Sequence, residues 1–123
     1  LPTAVLINYR NLIKSFKMFK KNRSKFLTPV VRFSYPPQRG LILKRGLLTM
    51  LNSKNFNKKS QSLKSIYHDA GQYTWGTASN YMNINNPLNN KSSYIILKEI
   101  NVQDIDNYED LKIAKIKFKK KFS

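Results

Sequence analysis

The chain has 123 residues, no cysteine and a formal net charge of +17. These figures exclude a disulfide framework and thiolate chemistry, and they allow one domain with a modest core. No apolar run approaches the ~20 residues of a membrane span, so no membrane role is expected, and the lack of cysteine fits a reducing, cytoplasmic setting.

The charge is uneven. Residues 1–68 hold 15 Lys or Arg and no acid. Such a field suits a nucleic-acid surface or a small anionic substrate. An AT-rich coding sequence also favours Lys, Asn, Ile, Phe and Tyr, and Lys outnumbers Arg although Arg is the better base reader. The chain opens at Leu1 rather than Met, so a processed product or a piece of a longer protein is expected.

Residues 1–7 are apolar, interrupted by Pro2, and read as a strand running out into a loop. Asn8 or Asn11 can cap a helix to about Lys21. Leu12, Phe16 and Phe19, with Ile13 beside them, mark its apolar face. Residues 26–34 read as a strand, with Val30, Val31 and Phe33 as strand formers. Pro29 argues that this strand starts there or lies on an edge. Tyr35-Pro36-Pro37 is a stop signal. Leu41-Ile42-Leu43 and Leu47-Leu48 flank Lys44-Arg45-Gly46 and predict a hairpin. Residues 50–65 are polar and read as a loop.

Residues 67–76 (Tyr-His-Asp-Ala-Gly-Gln-Tyr-Thr-Trp-Gly) contain the one His and the one Trp. Gly71 breaks the pattern, and Gln72 to Trp75 read as a short strand. His68 beside Asp69 is no catalytic dyad, because adjacent strand residues point to opposite faces. Trp75 reads as core. Residues 77–82 read as a short helix, 83–92 as an Asn-rich loop and Tyr94 to Leu97 as a buried strand. The last helix is expected from about Tyr108 to Lys120, with Leu111, Ala114 and Phe118 on one face and Ile113 and Ile116 widening it.

Four of the six acids fall in residues 101–110: Asp104, Asp106, Glu109 and Asp110. At the end of a strand, Asp104 and Asp106 would share one face with Ile105 on the other. Two such carboxylates can hold Mg²⁺, which prefers oxygen ligands and brings substrate phosphates with it. The same stretch also reads as a helix start, with Asp106 or Asn107 as cap and Glu109 and Asp110 in the first turn. The two readings are compatible.

Residues 67–76 resemble a segment of the pseudaminic acid cytidylyltransferases, a branch of the acylneuraminate cytidylyltransferase (CMP-sialic acid synthetase) family. Other pieces resemble it in the same order: Pro2-Thr3-Ala4; Val31-Arg32-Phe33-Ser34 with Pro36-Pro37-Gln38-Arg39; Lys59-Ser60-Gln61-Ser62-Leu63; and Gln103-Asp104-Ile105-Asp106 with Glu109-Asp110. The resemblance implies an α/β fold, the carboxyl-terminal portion of a Rossmann-like nucleotidyltransferase with a dimerisation hairpin region. It implies transfer of CMP from CTP to a nonulosonic acid, with release of pyrophosphate, by a homodimer. Asp104 and Asp106 would hold the catalytic Mg²⁺. Gln72, Tyr73 and Thr74 would line the sugar pocket, with Lys59 and Gln61 near the sugar and Lys59 drawing its carboxylate.

The chain departs from the family pattern in places. Gln-Phe-Tyr-Trp is here Gln72-Tyr73-Thr74-Trp75, an arginine is Lys59, an aspartate is Ser62, and a threonine is Asn107. Nothing matches the glycine- and lysine-bearing loop that cradles the CTP phosphates. Residues 1–123 are therefore expected to be the carboxyl-terminal part of one cytidylyltransferase domain, without its CTP-binding part. A small basic nucleic-acid-binding protein and an inactive remnant of the enzyme are the alternatives.

Overall fold

The computed structural model describes residues 3–59, 62–84, 86–89 and 91–122, the side chain of 122 aside. The chain divides into two compact units, one formed by residues 1–31 with 69–123 and the other by 32–68. The expected mixture of helices and sheet is found. β1 (Phe26–Arg32) is the hub of a four-stranded sheet whose other members are β4 (Tyr67–Asp69), β5 (Trp75–Gly76) and β6 (Ser92–Ile96).

In the larger unit, α1 (Tyr9–Lys21) starts where Asn8 caps it, its side-chain oxygen accepting from the Arg10 and Asn11 amides. Lys20 and Lys21 sit in the last turn, where cations suit the negative end of the helix dipole. The buried stripe agrees only in part with the one expected, Leu12 and Phe19 being half-buried on it. It centres on Ser15, which is wholly buried, while Phe16 and Ile13 are 41% and 49% exposed. Hydrogen bonding decides this face: Ser15 meets polar atoms that an apolar side chain would leave unpaired.

β6 runs parallel to β1, Phe26 opposite Ser92 through Val30 opposite Ile96, and Leu97 N–H donates to Val30 C=O. β5 runs antiparallel on β1, with Gly76 opposite Phe26 and Trp75 opposite Leu27. Pro29 neither starts the strand nor lies on an edge. It sits mid-strand and is fully buried. Its carbonyl accepts from Ala70 N–H at 3.0 Å. A strand residue points its N–H and C=O to the same side, so the missing donor falls on the Ala70 side, where the opposing run soon leaves the ladder. Proline is tolerated at such a bulge.

Leu27, Val31, Ala70, Ile95, Leu97 and Val102 form the core, with Met18, Phe19 and Trp75 packed on it. β6 is buried on one face only: Ile95 is buried, but Tyr94 and Ile96 are 60% and 53% exposed. α2 (Ala78–Asn83) is capped by Thr77, whose Oγ1 accepts from Asn80 N–H. α3 (Tyr108–Phe122) turns Leu111, Ala114, Lys117 and Lys121 inward; Phe118, Ile116 and Ile113 lie exposed instead. The lysines decide that face. Lys117 Nζ donates to the Glu99 and Val102 carbonyls, and Lys121 Nζ to Leu6 C=O.

In the smaller unit, β2 (Leu41–Lys44) and β3 (Leu47–Met50) make the expected hairpin. Arg45 and Gly46 have φ of 52° and 76°, the two left-handed positions of a type I′ turn. The hairpin is strongly apolar and open to solvent: Leu43, Leu47 and Leu48 are 69–75% exposed. The polar stretch after it holds a 3-10 turn (Ser53–Asn55), and the buried Asn55 donates from Nδ2 to Gln38 C=O.

Candidate functional site

The distinctive feature of the larger unit is a bulge. Ala70 bonds to Pro29 and Trp75 pairs with Leu27, so five steps of one run oppose two of the other. Residues 71–74 cannot stay in the ladder and are pushed out of it. Gln72 to Trp75 therefore do not form the expected strand; only Trp75 and Gly76 are paired. Gly71 makes the turn at φ 68°, and Asp69 Oδ1 accepts its N–H at 2.8 Å.

Asp69, Gly71, Gln72, Tyr73 and Thr74 line a shallow cavity of about 310 Å³. The three proposed sugar residues are thus together, but each is also committed inward. Gln72 is 6% exposed and its Nε2 donates to Asn101 C=O at 2.7 Å. Thr74 Oγ1 lies 3.2 Å from Thr28 Oγ1, and Tyr81 Oη donates to Thr74 C=O. Tyr73 Oη lies 3.0 Å from Ser15 Oγ. Ser15 Oγ donates to Leu12 C=O and accepts from Trp75 Nε1. Burial pushes the Tyr73 phenol above its ordinary value of 10.0, and the Ser15 bond offsets part of that rise. Sequence reasoning missed Ser15 because a lone serine in a helix carries no periodic signal.

Asp104 and Asp106 do not sit at a strand end. β6 stops at Ile96, a 3-10 turn (Glu99–Asn101) follows, and the chain then leaves it extended at Val102, without strand pairing, and bends at Asp106 and Asn107. The alternation survives: Asp104 and Asp106 are exposed and Ile105 is half-buried. Asp104 Oδ1 accepts the Ile105 amide at 3.1 Å. Asn107 caps α3 by accepting from Asp110 N–H at 2.9 Å, and Asp110 Oδ2 reaches back to the Asn107 and Asp106 amides. This is a capping box, so Asp110 is engaged with the helix start. Among the described residues no three His, Asp or Glu gather into a metal-binding group. Two exposed carboxylates still suit Mg²⁺, which keeps several waters and takes one or two carboxylates together with substrate phosphates.

Lys59 is exposed and belongs to the smaller unit, its carbonyl accepting from the Ser62 amide and hydroxyl. Gln61 lies outside the described residues. Within that unit residues 32–38 and 63–66 line a second cavity of about 250 Å³. Gln38 Nε2 donates there to Lys64 C=O, and His68 packs its ring on Phe33 at 4.8 Å. On α1, Arg10, Lys14, Lys17 and Lys21 make one basic stripe with no acid on the helix. No helix among the described residues is long and apolar enough to cross a membrane.

No family model matches the chain. It is 36% identical over 118 residues to pseudaminic acid cytidylyltransferases from two strains of Campylobacter jejuni subsp. jejuni, serotypes O:23/36 and O:2, covering 95% of this chain and 51% of theirs. It is 27% identical over 112 residues to a Helicobacter pylori protein named "Pseudaminic acid cytidylyltransferase and UDP-2,4-diacetamido-2,4,6-trideoxy-beta-L-altropyranose hydrolase", covering 90% of this chain and 22% of that one. Over nearly its whole length the chain is homologous to the pseudaminic acid cytidylyltransferases, and it spans about half the length of the two Campylobacter relatives.

Proposed function

We propose that the chain is the carboxyl-terminal part of a Rossmann-like cytidylyltransferase that transfers CMP from CTP to a nonulosonic acid. The 36% identity over 95% of the chain carries this reading. The bulge at residues 71–74 and the acidic pair add support, because one unit contains both. In the reaction the anomeric hydroxyl oxygen of the sugar acid forms a bond to the α-phosphorus of CTP. The bond from that phosphorus to the bridging oxygen breaks, pyrophosphate leaves, and the hydroxyl proton is lost. Asp104 and Asp106 would hold Mg²⁺, which neutralises triphosphate charge and orients attack. The bulge, with Gln72, Tyr73 and Thr74, forms one wall of the sugar pocket. By its place in the family's motif, Lys59 is the candidate cation for the sugar carboxylate, a point charge where an arginine would offer a fork, and Gln61 is a candidate on the same ground. The exposed apolar hairpin β2–β3 supports a homodimer, and a cytoplasmic location fits the absence of cysteine.

The decisive assay joins this chain behind the amino-terminal half of a Campylobacter relative and follows pyrophosphate release from CTP and pseudaminic acid. Asp104→Asn and Asp106→Asn should each abolish turnover with the circular dichroism spectrum unchanged. Turnover near that of the parent would remove the metal role of the pair. The basic stripe on α1 favours nucleic-acid binding as the second reading. That reading predicts DNA affinity falling with salt at a log–log slope of about −0.9 for each phosphate contacted.

A further inference from the structure

Gln72 is nearly buried, and it is the bulge residue that bonds toward the acidic segment. Its Nε2 donates to Asn101 C=O at 2.7 Å, across 29 positions of sequence. Asn101 closes the 3-10 turn, and the unpaired run to Asp104 and Asp106 begins just after it. That run is anchored at its start in several ways. The Val102 side chain is in the core, its amide donates to Glu99 C=O, and Lys117 Nζ holds the Glu99 and Val102 carbonyls from α3. At its far end the Asn107–Asp110 box fixes it. Val102 shares the core with Ala70 beside the bulge, and the Gln72 amide adds a hydrogen bond from the bulge itself to the start of the run.

We infer that Gln72 is a positioning residue for Asp104 and Asp106: its bond to Asn101 holds the acidic segment in fixed register with the bulge. The inference rests on the reading of the bulge as sugar wall and of the acidic pair as metal holder. Groups behind a metal-binding carboxylate set its aim, and their loss commonly weakens metal binding by roughly 10–100-fold. Reactions that join two bound partners are similarly sensitive to misplacement of about 1 Å. Gln72 thus serves the spacing between sugar and metal even where its own amide touches neither.

The test uses the full chain and Gln72→Met, which keeps the side-chain length and removes the donor. Hydrogen exchange is read at the Val102, Ile105 and Asp106 amides, and Mn²⁺ binding by paramagnetic broadening at the same residues. Exchange should quicken at these three amides and not in α1, and Mn²⁺ affinity should fall roughly tenfold. Thr28→Val frees the other end of the bulge and should leave both readings unchanged. Should Gln72→Met fail to fold, Gln72→Asn, which keeps an amide but shortens its reach, carries the same test. Wild-type exchange and Mn²⁺ affinity in the variant would overturn the inference. So would weaker nonulosonic acid binding with both readings unchanged, which would make Gln72 a sugar ligand. A wild-type chain that takes up no Mn²⁺ at the pair removes the metal reading itself. Exchange alone then decides whether Gln72 positions the segment.

Discussion

Ser15 is the buried residue of its helix. Its hydroxyl joins α1 to Trp75 and Tyr73. Ser15→Ala removes little volume but leaves the indole N–H and the phenol without that partner. Both rings are half-buried and the phenol keeps Asn11 C=O at 3.4 Å, so the loss is that of an ordinary hydrogen bond, about 0.5–1.5 kcal/mol. Urea denaturation should show a loss of that size, and the emission of the one tryptophan should shift. An unchanged midpoint would mean that water replaces the serine freely. Tyr73 gives a pH signature of the same contact. Its pKa is raised in the fold, mainly by burial, so its neutral phenol is the form the fold favours. That contribution is complete below the ordinary value of 10.0 and is lost as pH rises through the higher folded value. Above pH 10 the wild type should therefore lose urea stability faster than Tyr73→Phe. Parallel curves for the two proteins would deny the shift.

Local chemistry made several elements legible. Asn8 and Asn107 were readable as helix starts because a short polar side chain can satisfy an orphan amide. The hairpin was readable from Gly46 between two apolar runs, and the I′ turn explains it. The bulge at residues 71–74 was not readable, since the offset exists only between Ala70–Pro29 and Trp75–Leu27. Pro29 misled for the same reason: whether its missing N–H matters depends on what lies opposite. Gly76 follows this rule too. A Cβ there would lie 2.6 Å from the Phe26 ring and 2.8 Å from Tyr81, rings that meet edge to face at 5.0 Å. Gly76→Ala must push these rings apart, and overpacking of this kind costs about 1–3 kcal/mol. A thermal midpoint equal to that of the wild type would mean that the aromatic pair moves freely.

Across the whole molecule, the apolar surface of the β2–β3 hairpin is the feature a lone chain does not explain. Leu43, Leu47 and Leu48 stand in solvent, and contiguous exposed apolar patches usually mark an interaction surface. Under the proposed homodimer, Leu43→Glu with Leu48→Glu should convert a dimer to a monomer in sedimentation velocity while keeping the sheet's circular dichroism. A wild-type chain already monomeric at high micromolar concentration would remove this assignment. The +17 charge acts in the opposite sense, since self-repulsion disfavours association at low salt. The comparison belongs at about 0.15 M salt, where the Debye length is near 8 Å.

The sequence by itself narrowed the cap of each long helix to two residues, and it determined the hairpin turn, the ordered motifs that match the cytidylyltransferases, and the alternation that exposes Asp104 and Asp106 around Ile105. Each is set by a few neighbouring residues or by a pattern along the chain. Only the tertiary structure decided that Ser15 is buried, that Gln72 reaches Asn101 and that Lys117 anchors the acidic segment. These are polar contacts between distant positions. Their value comes from the carbonyl or hydroxyl that the fold places opposite, and no local pattern announces that partner.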